Sequence, residues 1–282
     1  MDISLAQEKA FCYIPRYTLE VAQDRCEQKK IALVAGTMGS LLSRPKPTDI
    51  QISSIENRLQ PFWLVTISAM TRYDRNNTYN VATSGPEVKA VTVLGQDINL
   101  TEPAKGPSVL NLTVLEHCIE QHHASHTFDA LSGNLSDMSK YLAYPKNEIS
   151  ILEAFTPEEI LVVPPQIRAS AVVRQVMSEV IKPVSQASTI HEERVDVEAI
   201  ELNFRPIYAL EYDWPAKNKK SVIEFDGLTG EITGDGKKLS NQIKGIVTRD
   251  LLFDVTADAV GLIVPGGGIA VKLVKAAIDR GK

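Results

Sequence analysis

The chain has 282 residues, 44% of them hydrophobic and 23% charged, so it is long enough to bury a core and too apolar to remain disordered. Its formal net charge of -5 gives it no basic excess for a phosphate backbone, which argues against nucleic-acid binding. It begins without the segments of a signal peptide, contains no apolar run of the roughly 20 residues that a membrane-spanning helix needs, and has three cysteines. We therefore expect a soluble cytoplasmic protein with reduced thiols and no transmembrane segment.

The first half of the chain is predicted to be a helix followed by strands. Residues 18–33 carry apolar side chains at helical spacing, which predicts the helix. Alternation of apolar and polar residues over 65–68 predicts a half-buried strand. The polar run at 74–77 predicts a turn, and two more strands are predicted beyond it, over 79–82 and 88–94.

A segment rich in metal-ligand side chains follows, with four of the five histidines of the chain and one of its three cysteines over 117–126. If the segment is helical, Cys118, His122 and His126 lie on one face. If it is a strand, His122 and His126 share a face with Phe128 instead. Either geometry offers ligands for zinc, which is the one cofactor that the sequence suggests. The alternative is a polar, solvated segment with a buried Cys118, because the spacing matches no closed structural zinc site.

The second half repeats the pattern of the first. A helix is predicted over 166–181, and the stretch that begins at Arg194 matches, without gaps, the stretch that begins at Asp49. Both copies contain a proline and, two residues later, an aromatic residue, at 61–63 and 206–208. We call these two segments the proline–aromatic corners. The alternative is chance similarity between two β-rich stretches.

The repeat leads to the fold prediction, an α+β protein built from two related lobes. Each lobe is expected to be a helix packed on an antiparallel β-meander. The first lobe is assigned to residues 1–150, and the second lobe, with a C-terminal amphipathic helix, to residues 151–282.

The hairpin of the second copy carries a family resemblance. Its sequence YALEYDWPAKNKKSVIEFDGLTGEI contains a strand, a charged turn and a strand that ends in Asp-x-x-Thr-Gly-Glu. This stretch is similar to the hairpin of PepSY-type domains over residues 207–232 and, more faintly, over 122–135. The resemblance implies a role in binding or restraining partner proteins, and it supplies no catalytic residue.

Three acidic residues on this hairpin, Glu211, Asp213 and Glu224, form a candidate partner-binding site. If the turn is centred between Lys217 and Asn218, Glu211 lies opposite Glu224 and Asp213 shares their face. Like charges that face each other on a sheet are unfavourable, so a partner, a lysine from the turn or a cation would have to compensate them. The alternative is a solvated face with a different register.

The C-terminal region contains a glycine triplet, Gly266, Gly267 and Gly268, between an apolar run and a helical pattern. Backbone N–H groups before a helix could bind an anion there, and the alternative is a flexible break between two helical pieces. Residues 269–280 mix apolar with basic side chains, which predicts the C-terminal amphipathic helix. This helix could dock on the protein's own core, on a second protomer or on a membrane surface.

These patterns favour a non-enzymatic protein-binding or scaffold protein, because the repeat presents sheet surfaces and no nucleophile elbow or Ser/His/Asp arrangement accompanies it. The first alternative is a metal-dependent enzyme that uses the cluster from His117 to His126. The second is a peripheral membrane protein that uses the C-terminal helix. The sequence leaves the partner and the oligomeric state open.

Overall fold

The structure is a computed structural model that describes residues 1–36, 43–101, 108–237, 239, 252–253, 255 and 272–275. Its helices are α1 (Leu19–Lys30), which continues as a π-helical turn (Ile31–Ala35), and α2 (Ala169–Val180). Short 3-10 turns lie at Pro47–Asp49, Ser139–Tyr141 and Pro215–Lys217. In chain order the strands are β1 (Asp2–Leu5), β2 (Glu8–Tyr13), β3 (Gln51–Ala82), β4 (Ala90–Val93), β5 (Gln96–Asn99), β6 (Val109–Asp129), β7 (Lys146–Glu148), β8 (Leu161–Val162), β9 (Thr189–Trp214), β10 (Lys219–Asp226), β11 (Ile232–Gly236) and β12 (Lys272–Lys275).

One large mixed sheet is built around the antiparallel pair of β3 and β9, which runs from Gln51 opposite Asp213 to Asp74 opposite Thr189. The other edge of β9 pairs in succession with β1, β2 and β10, the first two parallel and the third antiparallel. The other edge of β3 pairs with β8 and then with β6. Strands β4 and β5 form a separate two-stranded hairpin.

The prediction of two lobes, each with its own helix and meander, is wrong. The two matched stretches lie in β3 and β9 and pair with each other, so they share a single sheet. Alternating hydrophobicity determines which face of a strand is buried, but it does not determine which strand lies beside it. The turn predicted at 74–77 is also wrong, because β3 continues through these residues to Ala82.

Both predicted helices form, and they lie on the same face of the sheet. Helix α1 packs on a cluster that includes Tyr208 and Leu210, and α2 packs on a cluster that includes Val65 and Phe204. Because Phe204 and Tyr208 are an even number of residues apart on a regularly paired part of β9, their side chains point to the same side. The helices therefore cover opposite ends of one face.

The proline–aromatic corners occupy equivalent positions. Trp63 donates a hydrogen bond from Nε1 to the carbonyl of Ile167 at 3.0 Å, and Tyr208 donates one from its hydroxyl to the carbonyl of Tyr17 at 2.8 Å. Ile167 and Tyr17 each lie two residues before the start of a helix. Each corner thus ties a central strand to the segment that leads into its helix.

The two Asp-containing turns are also equivalent. Asp129 accepts hydrogen bonds at Oδ1 from the backbone N–H groups two and three residues later, at 2.9 and 2.8 Å. Asp226 does the same at 2.9 and 3.0 Å. Gly133 and Gly230 close the turns with φ of 76 and 75°, a conformation that glycine adopts at low cost.

The C-terminal residues that the structure describes, Lys272–Lys275, form β12 and pair in parallel with β1, with Lys272 opposite Asp2. The predicted C-terminal helix is therefore wrong over these residues. A short apolar run fits a strand as well as a helix, and the open edge of β1 decides between them. Gly266, Gly267 and Gly268 lie outside the described residues. Within the described part of the chain, no helix has the length and apolar character to cross a membrane.

Candidate interaction surface

The distal part of the β3–β6 hairpin extends beyond the other strands of the sheet. The two strands pair without a register shift from Phe62 opposite Asp129 to Ala82 opposite Val109. Strand β9 accompanies β3 only as far as Asp74. Residues 75–82 and 109–116 therefore form a two-stranded ribbon beyond the end of β9, which we call the ribbon. At about 3.4 Å per residue, it is roughly 27 Å long.

The ribbon is held together by polar contacts around one carboxylate. Glu116 accepts hydrogen bonds from Arg75 Nε at 2.5 Å, from Asn77 Nδ2 at 2.9 Å and from the hydroxyl of Tyr79. The hydrogen bonds from Tyr79, Asn77 and Arg75 lower the pKa of Glu116 to about 2. The polar run that suggested a turn instead supplies the donors that hold this carboxylate as an anion.

The hairpin also carries an unusual share of exposed apolar side chains. Ten large hydrophobic side chains are exposed among the described residues, and five of them lie on this hairpin or beyond its tip. These five are Tyr79, Val81, Leu94, Leu115 and Ile119. Tyr79 and Val81 share one face of the ladder, and Leu115 and Ile119 share the other, so each face exposes a pair of large apolar side chains.

A cluster of two imidazoles and one carboxylate lies at the base of the ribbon. The buried Asp74 has Oδ1 2.7 Å from Nδ1 of His117 on β6 and Oδ2 2.8 Å from Nε2 of His191 on β9. Hydrogen bonds from His191 and His117 lower the pKa of Asp74. A shift in the β3–β9 pairing between Arg72 and Tyr73 leaves His191 without a partner directly opposite, as in a β-bulge. The cluster joins three strands at the point where β9 ends its pairing with β3.

The strand geometry separates the residues of the predicted metal site. Cys118, His122 and His126 share one face of β6, but successive members are four residues apart, which is about 13 Å along a strand. Their contacts differ as well, because His122 lies 3.0 Å from Glu120 and His126 lies 2.7 Å from Glu179 on α2. Across the residues that the structure describes, no group of three or more His, Cys, Asp or Glu side chains could hold a metal ion.

The carboxylates of the second hairpin have a register different from the expected one. Glu211 lies opposite Val222, and Asp213 lies opposite Lys220, so the prediction that Glu211 faces Glu224 is wrong. The chain turns one residue earlier than expected, through the 3-10 turn at Pro215–Lys217, which moves the partner of each β9 residue by two positions.

Internal hydrogen bonds engage two of these acidic side chains. Glu211 accepts one from the hydroxyl of Ser54 at 2.8 Å. Glu224 pairs with Arg58, whose side chain is 2% exposed, and accepts a hydrogen bond from the backbone N–H of Lys237 at 3.1 Å. Burial of an arginine requires a compensating carboxylate, so Glu224 stabilises the fold rather than offering a charge to a partner.

A polar cleft of about 270 Å³ lies on the face opposite the helices. Its charged centre is internally compensated, because Arg205 Nη1 lies 2.6 Å from Asp226 Oδ2 and 2.7 Å from the hydroxyl of Tyr141. The same Tyr141 hydroxyl donates to Asp226 at 2.5 Å. Burial raises the pKa of Tyr141. The network fixes the turn after β10 to the loop that covers this face, which is a structural role.

Sequence reasoning missed Asp74, His191 and the ribbon contacts of Glu116. Asp74 was assigned to a turn, and the offset of His191 depends on a pairing irregularity that no local pattern signals. The alternation of residues 109–116 could have indicated a long partner strand for β3. Comparison with known proteins adds no family, because no family model matches the chain, and no curated protein or solved structure matches it.

Proposed function

We propose that this chain is a non-enzymatic protein-binding or scaffold protein that contacts its partner through the ribbon. The observation that supports this most directly is the extension of the β3–β6 hairpin beyond β9, with Tyr79 and Val81 each 48% exposed. An isolated two-stranded hairpin is only marginally stable in water. Apolar side chains that such a hairpin exposes add no core packing, so their presence indicates a contact with another molecule.

The chemistry of the ribbon fits a protein surface. Tyr79 lies opposite Leu112 and Val81 lies opposite Leu110, so aromatic and aliphatic side chains share one face. Tyrosines on rigid elements supply large contact area at a low entropic cost and dominate many interfaces. The hydrogen bond from the hydroxyl of Tyr79 to Glu116 orients this side chain on the face.

The resemblance of residues 207–232 to PepSY-type hairpins supports the same proposal, because that family is associated with binding partner proteins. The geometry favours neither alternative. The metal-enzyme hypothesis depends on Cys118, His122 and His126, which the strand spaces apart. The membrane hypothesis depends on a C-terminal helix, and the described part of that segment is the strand β12.

The proposal is tested by affinity capture with chemical cross-linking in extracts of the cells that produce the chain. The ribbon variant Tyr79→Ser/Val81→Ser is compared with the wild type. The control is Ile14→Ser/Ile151→Ser, since these side chains are 45% and 63% exposed but lie off the hairpin.

We expect at least one protein to be captured at equal yield by the wild type and the control, and at about tenfold lower yield by the ribbon variant. Equal thermal unfolding midpoints would show that both variants fold. A captured set that is the same for all three chains would contradict the proposal.

A further inference from the structure

The outer edge of strand β6 is largely unpaired within the described part of the chain. Val109 exchanges both of its backbone hydrogen bonds with Thr101, and the carbonyl of Thr127 accepts one from Ser136, so each end of this edge is occupied. Between these ends, over residues 110–126, no described strand pairs with it. Since backbone groups alternate along an antiparallel strand, the odd-numbered residues from 111 to 125 direct their N–H and C=O groups outward.

This edge lacks the features that protect edge strands from pairing. Residues 110–126 contain no proline, glycine, lysine or arginine. Their pairing with β3 has no register shift, whereas the β3–β9 pairing has three. A long, regular edge with a row of unpaired backbone groups is a template for another strand.

We propose that a second copy of this chain occupies the edge, with the two β6 strands antiparallel about a twofold axis at Ile119. In this register Glu116 lies opposite His122 of the second copy, and the symmetry makes the pair twice. Ile119, which is 62% exposed, lies opposite its own copy. A carboxylate–imidazole contact in the first place and an aliphatic cross-strand contact in the second are both favourable.

The neighbouring registers are disfavoured by charge. An axis moved to Cys118 places Glu116 opposite Glu120 in both halves of the interface. An axis moved to Glu120 places that carboxylate opposite its own copy. Like charges directly opposite each other destabilise a sheet, so these two neighbouring registers are disfavoured relative to the one centred on Ile119.

The same register also supports the ribbon. Residues 112–116 of one copy would pair with residues 122–126 of the other, which lie within the main sheet. Each two-stranded ribbon thereby gains a third strand that is anchored in a core, and three strands are more stable than two. The interface uses the strand edge and leaves the ribbon faces exposed, so self-association goes beyond the proposed function and does not depend on it.

The first test measures the mass of the full chain by sedimentation equilibrium over a dilution series. Ile119→Lys places two ammonium groups at the axis, and Ile151→Lys is the matched control, since Ile151 is 63% exposed and lies off β6. We expect a dimer for the wild type and the control, and a dissociation constant at least about tenfold higher for Ile119→Lys. A monomeric wild type, or equal dissociation constants for both variants, would overturn the proposal.

The register is tested by oxidative cross-linking in a Cys118→Ser background. Ile119→Cys places two thiols opposite each other at the axis, within reach of a disulfide. Gln121→Cys and His117→Cys place them opposite other residues. We expect a covalent dimer mainly with Ile119→Cys, and equal yields for the three variants would contradict the register.

The two proposals fail in different ways. If the wild type is a monomer and capture still depends on Tyr79 and Val81, self-association is refuted and the proposed function stands. If the dimer forms and capture does not depend on these residues, the dimer stands and the proposed function is refuted.

Discussion

The hairpins β3–β6 and β9–β10 begin alike and end differently. Each starts beside an Asp-containing turn, with Phe62 opposite Asp129 in one and Ile207 opposite Asp226 in the other. Strand β10 then has 8 residues, whereas β6 has 21. The shared part of the two hairpins packs under a helix, and the additional length of the first forms the ribbon. The ribbon lies beyond the part of the hairpin that packs under a helix, which is why we propose it as the binding surface.

The largest effect expected from this comparison concerns the corners. Trp63 is 0% exposed and Tyr208 is 4% exposed, so Trp63→Ala and Tyr208→Ala should each lower the free energy of unfolding by about 3–5 kcal/mol. Tyr79→Ala on the ribbon should lower it by less than about 0.5 kcal/mol. Denaturant titration measures all three, and a ribbon variant as destabilised as the corner variants would remove the distinction between core and extension.

A smaller difference should separate the two equivalent turns. Asp129→Ala removes a turn-capping carboxylate and should cost about 1 kcal/mol. Asp226→Ala also removes the carboxylate partner of the partly buried Arg205, so it should cost about 3 kcal/mol. Equal losses in denaturant titrations would show that the Arg205 network adds nothing to the second turn. Lys in place of Arg205 would then be tolerated as well.

The smallest effect concerns pH and the base of the ribbon. The hydrogen bonds from His191 and His117 lower the pKa of Asp74, so its carboxylate stabilises the fold above the ordinary aspartate pKa of about 3.9. That contribution is lost as the pH falls through the lowered pKa. The stability difference between the wild type and Asp74→Asn should therefore shrink below about pH 4.

Chemical denaturation over this pH range measures the difference for Asp74→Asn. Asp24→Asn on the exposed side of α1 is the control, and it should show no such trend. A difference that does not change with pH would mean that the Asp74 carboxylate is not what holds β6 and β9 to β3.

The sequence predicted the local elements better than their assembly. Both helices, the strand over 65–68 and the turn after Trp214 are present, because periodicity and turn residues report on local structure. The pairing of β3 with β9 was missed, since it joins residues far apart in the chain. The turn predicted from the polar run at 74–77 was wrong for a different reason. Polar side chains of this run contact Glu116 and the histidines of neighbouring strands instead of solvent.

The candidate site was only partly predictable. The histidine-rich segment attracted attention as a set of metal ligands, and its alternative description as a strand with His122 and His126 on one face is the one that the structure shows. The features of this segment that support the proposed self-association are its outward backbone groups and the exposed Ile119. No motif of residue types indicates either feature. The offset of His191 depends on the pairing irregularity in the β3–β9 ladder.

The position of β9 in the chain has a consequence for biosynthesis. Strands β1, β2 and β3 all pair with a segment that begins at Thr189, so their partner is made long after they are. At about 5–20 residues per second, the N-terminal strands wait roughly 10–40 s on the ribosome before the sheet can close. Such long-range pairing also slows folding itself. A nascent chain that stops before Thr189 would expose Val65 and Ile67 and would need a chaperone to stay unaggregated.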